Sequence, residues 1–137
     1  MKMPMAVSGY LKGHGVDIVD IDRFSVLLNV EFEPFLNRYF TSVELNSIIG
    51  SSSGLEKLAG KFAVKESVLK ALGVGWGNGI SFVDVEVYNH DSGAPAVRLF
   101  RRLAELEIEM NITGWLVSCT HTWTISMASV VAVGANP

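Results

Sequence analysis

The chain has a single cysteine, Cys119, among its 137 residues, so no disulfide can form within it. This is typical of a reducing compartment, and we expect a cytoplasmic protein. No apolar run approaches the ~20 residues that a membrane-spanning helix needs, and the amino terminus lacks the apolar stretch of a secretory signal. Charged residues make up only 18% of the chain and the net charge is −3, which gives no general reason to bind nucleic acid or an anionic membrane.

Apolar residues, by contrast, are abundant, at 49% of the total, and no repeat, low-complexity tract or linker divides them. A chain of this length suits one domain. We therefore expect an irregular lead-in over residues 1–14 and a single domain over residues 15–137. Helical and strand patterns alternate along that domain, which predicts an α+β fold with a mostly antiparallel sheet and a long central helix.

Hydrophobic periodicity and turn residues locate the elements of this domain. Strand patterns cover residues 15–21, 80–88, 95–99, 115–120 and 124–133. Helical patterns cover residues 32–40 in part, 41–49, 53–72 and 100–110. The capping-box pattern, Ser or Thr followed three residues later by Glu, marks two helix starts, at Thr41 with Glu44 and at Ser53 with Glu56.

The predicted helix 53–72 carries a carboxylate within an apolar stripe. At about 100° per residue Glu66 falls in the middle of that stripe, and Lys70 follows one turn later. The stripe consists of Leu55, Ala59, Phe62, Ala63 and Leu69. A carboxylate buried alone is costly, so it needs a cation, a hydrogen-bond network or a metal. A simple Glu66–Lys70 ion pair at a hydrated rim is the alternative.

Asp17 raises the same question within the predicted strand 15–21. Period-2 alternation places its side chain on the face shared by Val19 and Ile21, whereas Asp20 belongs to the opposite, solvated face. Asp17 could simply begin a turn or cap a helix. A second carboxylate embedded in an apolar segment nevertheless points to a hard cation, because Mg²⁺ commonly takes one or two protein carboxylates plus phosphate oxygens.

The remaining candidates are each open to two interpretations. Residues 73–79 contain four glycines after a helix, which is typical of a C-cap at Gly73 and a flexible turn, yet such a turn also offers backbone N–H groups to a phosphate. His121, between two threonines at a strand end, is either a turn residue or a phosphate contact. No histidine or cysteine spacing suits zinc, and Ser118 and Cys119 lack the partners of a catalytic nucleophile.

Four blocks, in this order, resemble the holo-acyl-carrier-protein synthase family, the small bacterial-type class of 4′-phosphopantetheinyl transferases. They are GVDIV at 15–19 with Arg23, FLNRYFT at 35–41 with Glu44, LAGKFAVKESVLKALG at 58–73, and VSCTHT at 117–122. The resemblance implies that fold, assembled as a homotrimer with sites in clefts between subunits. It also implies transfer of the 4′-phosphopantetheine group of coenzyme A to a serine of apo acyl carrier protein, releasing 3′,5′-ADP, in support of fatty acid biosynthesis.

The resemblance further implies a role for each candidate residue. Asp17 and Glu66 would hold Mg²⁺ on the coenzyme A pyrophosphate, and Glu66 would also take the serine proton. Lys70 would steady the pyrophosphate and help the nucleotide leave. The coenzyme A site would further include Lys61, Gly73, His121 and Thr122. Arg23 would lie on the surface that meets the acidic carrier protein.

The chain also departs from the family pattern. Residues 123–126 replace the usual polar pair and Tyr-Ala that follow the histidine, Trp76 and Asn78 enlarge the glycine turn, and Lys61 stands where many relatives have arginine. Two rival hypotheses remain open: a magnesium-dependent nucleotide pyrophosphatase with water as acceptor, and a scaffold that binds coenzyme A or a carrier protein without catalysis.

Association between copies has a physical motive as well. Val64, Val68 and Leu72 lie on the side of the predicted helix away from Glu66, and the closing segment 125–133 is apolar on both faces. A domain this small has too little interior to cover all of these side chains. We therefore expect a neighbouring subunit to cover some of them.

Overall fold

The computed structural model describes residues 9–30 and 32–135. In chain order the elements are β1 (Tyr10–Asp20), α1 (Ile21–Val30), α2 (Phe32–Tyr39), α3 (Ser42–Asn46), α4 (Gly54–Leu72), a 3₁₀ turn (Phe82–Asp84), β2 (Val85–Asn89), β3 (Pro95–Leu99), α5 (Arg102–Glu109), β4 (Ile112–His121) and β5 (Ile125–Gly134). The α+β prediction and the long central helix are confirmed. None of the helices within these residues is both long and apolar enough to cross a membrane.

Two antiparallel sheets organise the described chain. The larger has the strand order β1-β5-β4, and β2 pairs with β3 in a separate hairpin. In the larger sheet Asp17 of β1 lies opposite Ala128, and His121 of β4 lies opposite Ser126. Helix α4 packs across one face of this sheet, against β1 and β5. The core between them includes Ala63, Val64, Val68, Ala128 and Val130.

Two glycines of β1 allow α4 to approach the strand closely. A Cβ added at Gly15 would overlap the backbone oxygen of Ser67, and one added at Gly13 would overlap that of Ala71. Any other residue would therefore push strand and helix apart. Because Asp17 follows Gly15 by two residues on the same strand face, this approach brings its side chain beside α4.

The capping box at α3 is confirmed and leads into a buried ion pair. Glu44 N donates to Thr41 Oγ1 at 3.3 Å, and Thr41 N donates to Glu44 Oε1 at 2.8 Å. The Glu44 carboxylate is fully buried, 2.9 Å from Lys65 Nζ, and its other oxygen accepts from the N–H of Val87 at 2.9 Å. One carboxylate thus joins α3, α4 and β2.

The structure corrects several element predictions. The irregular lead-in over 1–14 is wrong for residues 10–14, because β1 begins at Tyr10, which pairs with Gly134 of β5. Ladder hydrogen bonds to β5 stabilise this part of the strand in the absence of a strong local pattern. Residues 1–8 lie outside the described part of the chain. At the other end of the strand, Ile21 begins the unpredicted helix α1, whose first turn is capped by Asp20 Oδ1, which accepts from Arg23 N at 3.0 Å.

One cap and two element boundaries also differ from the predictions. Ser53 stands at the start of α4 but makes no capping hydrogen bond through its side chain, so the second capping box is absent. The strand expected over 80–88 begins only at Val85, because a 3₁₀ turn precedes it. The helix expected over 41–49 ends at Asn46.

The apolar surface that remains uncovered matches the sequence expectation for the closing segment 125–133 but not for helix α4. Val64, Val68 and Leu72 are buried within the chain's own core, because the helix is covered on that side by the chain itself. The outer face of the large sheet, turned away from α4, instead exposes apolar side chains of β1 and β5. They are Val16, Ile18, Ile125 and Met127.

Candidate active site

Strand β1 and helix α4 bring Asp17, Glu66 and Lys70 together. Lys70 Nζ lies 3.1 Å from Asp17 Oδ1 and donates to the backbone oxygen of Val16 at 2.9 Å. The Asp17 side chain is 18% exposed and that of Lys70 54% exposed. Lys70 thus pairs across the two elements rather than with Glu66 on its own helix. The first turn of α1 is capped by Asp20 and not by Asp17.

Glu66 occupies a half-buried position with an unexpected partner. Burial raises the pKa of its carboxyl above the usual value, and the hydrogen bond from Trp76 opposes this rise. The charge of Asp17 adds to the rise, and the charge of Lys70 opposes it. A cation placed between the two carboxylates would offset the cost of burying their charges and would reduce their mutual repulsion.

Trp76 folds back over α4 from the glycine-rich turn. Its indole Nε1 donates to Glu66 Oε1 at 3.0 Å. The ring stacks on Phe82, with ring centroids 3.8 Å apart, and Phe82 stacks on Phe62 of α4 at 5.3 Å. The sequence interpretation, in which Trp76 only enlarges the turn, missed this contact. Spacing alone offers no signal for it, because the two residues belong to different elements.

An open cleft of about 400 Å³ adjoins these groups. Its lining includes Asp17, Asp20 and Glu66 together with Arg23 and Phe24 of α1. The structure therefore places Arg23, the predicted carrier-protein contact, at the same cleft as the two carboxylates.

The predicted nucleotide contacts lie elsewhere on the chain. Lys61 stands about 140° around α4 from Glu66, and His121 and Thr122 lie at the end of β4, on the opposite sheet edge from β1. Lys61 and His121 line a second cleft of about 400 Å³, and an adjoining cavity of about 270 Å³ includes Thr122 and Trp123. One chain thus carries two separate groups of predicted site residues.

The second group of predicted site residues combines a buried lysine with exposed side chains. Lys61 is largely buried, donates to the backbone oxygen of Val87 at 3.3 Å, and has its pKa lowered by that burial. His121 is exposed, with Nδ1 3.2 Å from the Thr122 oxygen. Trp123 is 95% exposed beside them.

Gly73 ends α4 as the sequence predicts. Its φ of 74° is left-handed, and its N–H donates to the carbonyls of Leu69 and Lys70. The C-cap interpretation is thereby confirmed, and this N–H is engaged within the protein rather than directed to a ligand.

The donor set at the first cleft fits a magnesium ion shared with substrate phosphates. In the described ranges, no group of three or more His, Cys, Asp or Glu side chains forms a complete metal site. Magnesium does not require one, since it usually binds one or two carboxylates and completes its shell with phosphate oxygens and water. Asp17 and Glu66 supply those two carboxylates.

The chain is similar to known proteins over most of its length. The model of the 4′-phosphopantetheinyl transferase superfamily matches residues 13–126. The chain is 37% identical to a holo-[acyl-carrier-protein] synthase of Geobacter metallireducens over 119 residues, 87% of this chain and 94% of the relative.

Solved structures agree with these matches. The crystal structure of holo-[acyl-carrier-protein] synthase from Neisseria meningitidis superimposes with a TM-score of 0.82 at 28% identity, covering 90% of this chain and 98% of that one. The Helicobacter pylori enzyme in complex with coenzyme A gives a TM-score of 0.74 at 32% identity, covering 87% and 98%. The chain belongs to the 4′-phosphopantetheinyl transferase superfamily. Within it, the chain is an enzyme of the holo-acyl-carrier-protein synthase group.

Proposed function

We propose that this enzyme transfers the 4′-phosphopantetheine group of coenzyme A to a serine of apo acyl carrier protein, with release of 3′,5′-ADP. The observation that carries the proposal is that Asp17 and Glu66 line one open cleft, with Lys70 paired to Asp17. Two carboxylates suit a magnesium ion on a pyrophosphate, and an exposed ammonium suits the phosphate oxygens themselves. The complex of the Helicobacter pylori relative with coenzyme A supports the same substrate here.

The chemistry follows from these groups. The serine hydroxyl attacks the β-phosphorus, the phosphorus–oxygen bond to the nucleotide breaks, and the serine proton moves to a base. Glu66 suits that role because burial raises its pKa, and a carboxylate of raised pKa accepts protons better near neutral pH. The half-exposed Lys70 ammonium can exchange its contact with Asp17 for one with the departing phosphate, which it then stabilises. Bound Mg²⁺ supplies charge neutralisation on the pyrophosphate.

We also propose a homotrimer in which coenzyme A lies between two subunits. Two features support this assembly: the predicted site residues of one chain fall into two separate clefts, and the outer face of the large sheet exposes Val16, Ile18, Ile125 and Met127. A closed ring of one repeated contact covers such a face on every copy. The number three comes from the family resemblance.

Arg23 is proposed as the contact for the acidic carrier protein. Its place beside Asp17 and Glu66 supports this role, because the carrier serine must reach those groups. The product would serve fatty acid biosynthesis, and the single cysteine supports a cytoplasmic location.

A direct assay tests the proposed reaction. The enzyme is incubated with coenzyme A, Mg²⁺ and an apo acyl carrier protein, and mass spectrometry records whether the carrier gains the phosphopantetheine arm. Mutation of the carrier serine to alanine is the matched control. Free phosphopantetheine released without a carrier would show a pyrophosphatase, and coenzyme A binding without any product would show a scaffold.

A further inference from the structure

The catalytic-site carboxylate of Glu66 is held by an indole that lies ten residues away in the chain. Trp76 Nε1 donates to Glu66 Oε1 at 3.0 Å, and the carboxylate is half-buried. A glutamate side chain has three rotatable torsions, so an unheld carboxylate samples several positions. The hydrogen bond from Trp76 selects one of them.

The indole is itself fixed by an aromatic stack. Its ring lies 3.8 Å from that of Phe82, at 26° between planes, and Phe82 stacks at 5.3 Å and 17° on Phe62, one turn before Glu66 on α4. Tyr39 packs against Phe82 at 4.3 Å. The backbone oxygen of Phe82 accepts from the buried Lys65 at 2.9 Å, so the stack rests on the core.

The turn that returns Trp76 to the helix is closed by backbone hydrogen bonds. Gly77 and Ile80 exchange two N–H···O bonds of 3.0 Å each. Gly77, Asn78 and Gly79 all have positive φ, which glycine and asparagine adopt most readily. The departures from the family pattern at positions 76 and 78 therefore form one rigid turn.

We infer that Trp76 is a positioning residue for Glu66 in the proposed reaction. Its N–H holds Oε1, which leaves Oε2 as the oxygen available to the cation shared with Asp17. An indole is a donor only, and it is neutral. It therefore orients the carboxylate without cancelling the negative charge. A lysine or arginine in its place would cancel that charge.

The inference rests on the proposed function and is tested with Trp76→Phe, which keeps the stacked ring and removes the N–H donor. Trp115→Phe is the matched control, because Trp115 Nε1 donates to Glu107 Oε2 at 2.7 Å, outside either group of site residues. We expect Trp76→Phe to raise the magnesium concentration for half-maximal rate about threefold to tenfold, with the coenzyme A and carrier KM values unchanged. Trp115→Phe should leave all three quantities at wild-type values.

Two readouts are independent of turnover. Mn²⁺ binding in the presence of coenzyme A, followed by electron paramagnetic resonance, should weaken by a similar factor in Trp76→Phe only. In ¹⁵N-tryptophan-labelled protein, the indole proton resonance of Trp76 is identified by its absence from the spectrum of Trp76→Phe. This resonance should shift strongly in Glu66→Ala. It should shift less in Glu66→Gln, which retains an acceptor oxygen.

The possible outcomes separate the hypotheses. Wild-type Mn²⁺ affinity and magnesium dependence in Trp76→Phe would overturn the inference. So would a general loss, in which both KM values rise and the melting temperature falls, since that shows a purely structural role. Absence of transfer by the wild-type enzyme would instead defeat the proposed function, while the resonance measurement would still report on the hydrogen bond.

Discussion

At the scale of single residues, the two carboxylates of the proposed metal site have different partners. Asp17 faces a cation, Lys70, at 3.1 Å, whereas Glu66 faces the neutral indole of Trp76 at 3.0 Å. Burial raises the pKa of Glu66, and the nearby Asp17 charge adds to the rise. The two side chains therefore suit different tasks, and each task can be tested by an isosteric amide.

Glu66→Gln should lower transfer by about a hundredfold or more, because the amide neither binds magnesium well nor accepts the serine proton. Its shape is retained, so folding should persist. The measurement is kcat at saturating magnesium, together with circular dichroism to verify the fold. Near-normal turnover would reject Glu66 both as metal ligand and as base.

The same substitution should show a pH-dependent effect on stability. Because the pKa of Glu66 is raised in the folded state, the folded protein binds more protons than the unfolded chain between the ordinary value of about 4.5 and the raised one. Wild-type stability therefore falls as the pH rises through this range. Glutamine does not titrate. Metal-free Glu66→Gln should therefore exceed the wild type in free energy of unfolding at about pH 7, and the difference should shrink toward about pH 4. Denaturant unfolding at both pH values measures it, and a difference independent of pH would contradict the burial argument.

At the scale of elements, the site is a junction between β1 and α4. The strand lies close to the helix because Gly15 has no side chain to meet Ser67. The helix in turn is tied to α3 and β2 through the buried pair of Lys65 and Glu44. Site geometry therefore depends on two packing features that take no part in the chemistry.

Gly15→Ala should destabilise the fold by about 1–3 kcal/mol, because the added methyl overlaps a backbone oxygen. It should also lower transfer at temperatures where the protein stays folded, since Asp17 moves with the strand. Gly114→Ala is the control, because its Cβ would meet only a methyl of Val133 at 3.4 Å. Equal effects of the two substitutions on activity would show that the close approach does not position Asp17.

Lys65→Met should cost about 3–5 kcal/mol, because it leaves the buried Glu44 carboxylate without its cation. Arg102→Met removes a cation from two exposed ion pairs, with Glu105 and Glu109, and should cost much less, because solvent screens exposed charges. Denaturant unfolding compares the two. A double variant with Glu44→Gln should lose less than the sum of the single variants, since neither charge of this pair is left buried without its partner.

At the scale of the whole molecule, the separation of the two clefts and the exposed apolar sheet face have one common explanation in the proposed trimer. Ile18 is 61% exposed at the centre of that face, opposite Met127 of β5. A subunit packed there would cover it. Each active site could then combine Asp17 and Glu66 of one chain with His121 of another.

Ile18→Glu should convert a trimer, three times the 14.9 kDa chain mass, into folded monomers with little transfer activity. Ile108→Glu, at a 76% exposed apolar position on α5, makes the same change elsewhere and should keep the wild-type mass. Sedimentation equilibrium measures both. A fully active wild-type monomer would reject the trimer and the shared site together.

A mixing experiment tests the shared site directly. Asp17→Asn and His121→Ala should each be nearly inactive alone. Unfolding and refolding them together allows mixed trimers, in which some sites combine two intact halves, so part of the activity should return. No recovery, with mixed trimers verified by mass, would place all the groups of one site on one chain.

The sequence by itself determined several features that depend on near neighbours, although the Ser53–Glu56 spacing predicted a cap that is absent. The apolar periodicity of residues 53–72 predicts α4, the Thr41–Glu44 spacing predicts a cap, and Gly73 predicts the helix end, because each rests on contacts within about one helical turn. Alternation likewise assigned Asp17 to the strand face that carries Val19. Together with the family resemblance, these patterns were sufficient to name both carboxylates as candidates.

Only the tertiary structure decided which partners those side chains have. Lys70 pairs with Asp17, 53 positions earlier, rather than with Glu66 on its own helix, and the partner of Glu66 is Trp76 across a turn. Lys61 belongs to α4, as Glu66 does, and only the packing around the helix decides that it lines another cleft. Hydrogen bonds and ion pairs between distant residues depend on the path of the chain and on the close packing of its elements, and no local pattern encodes either.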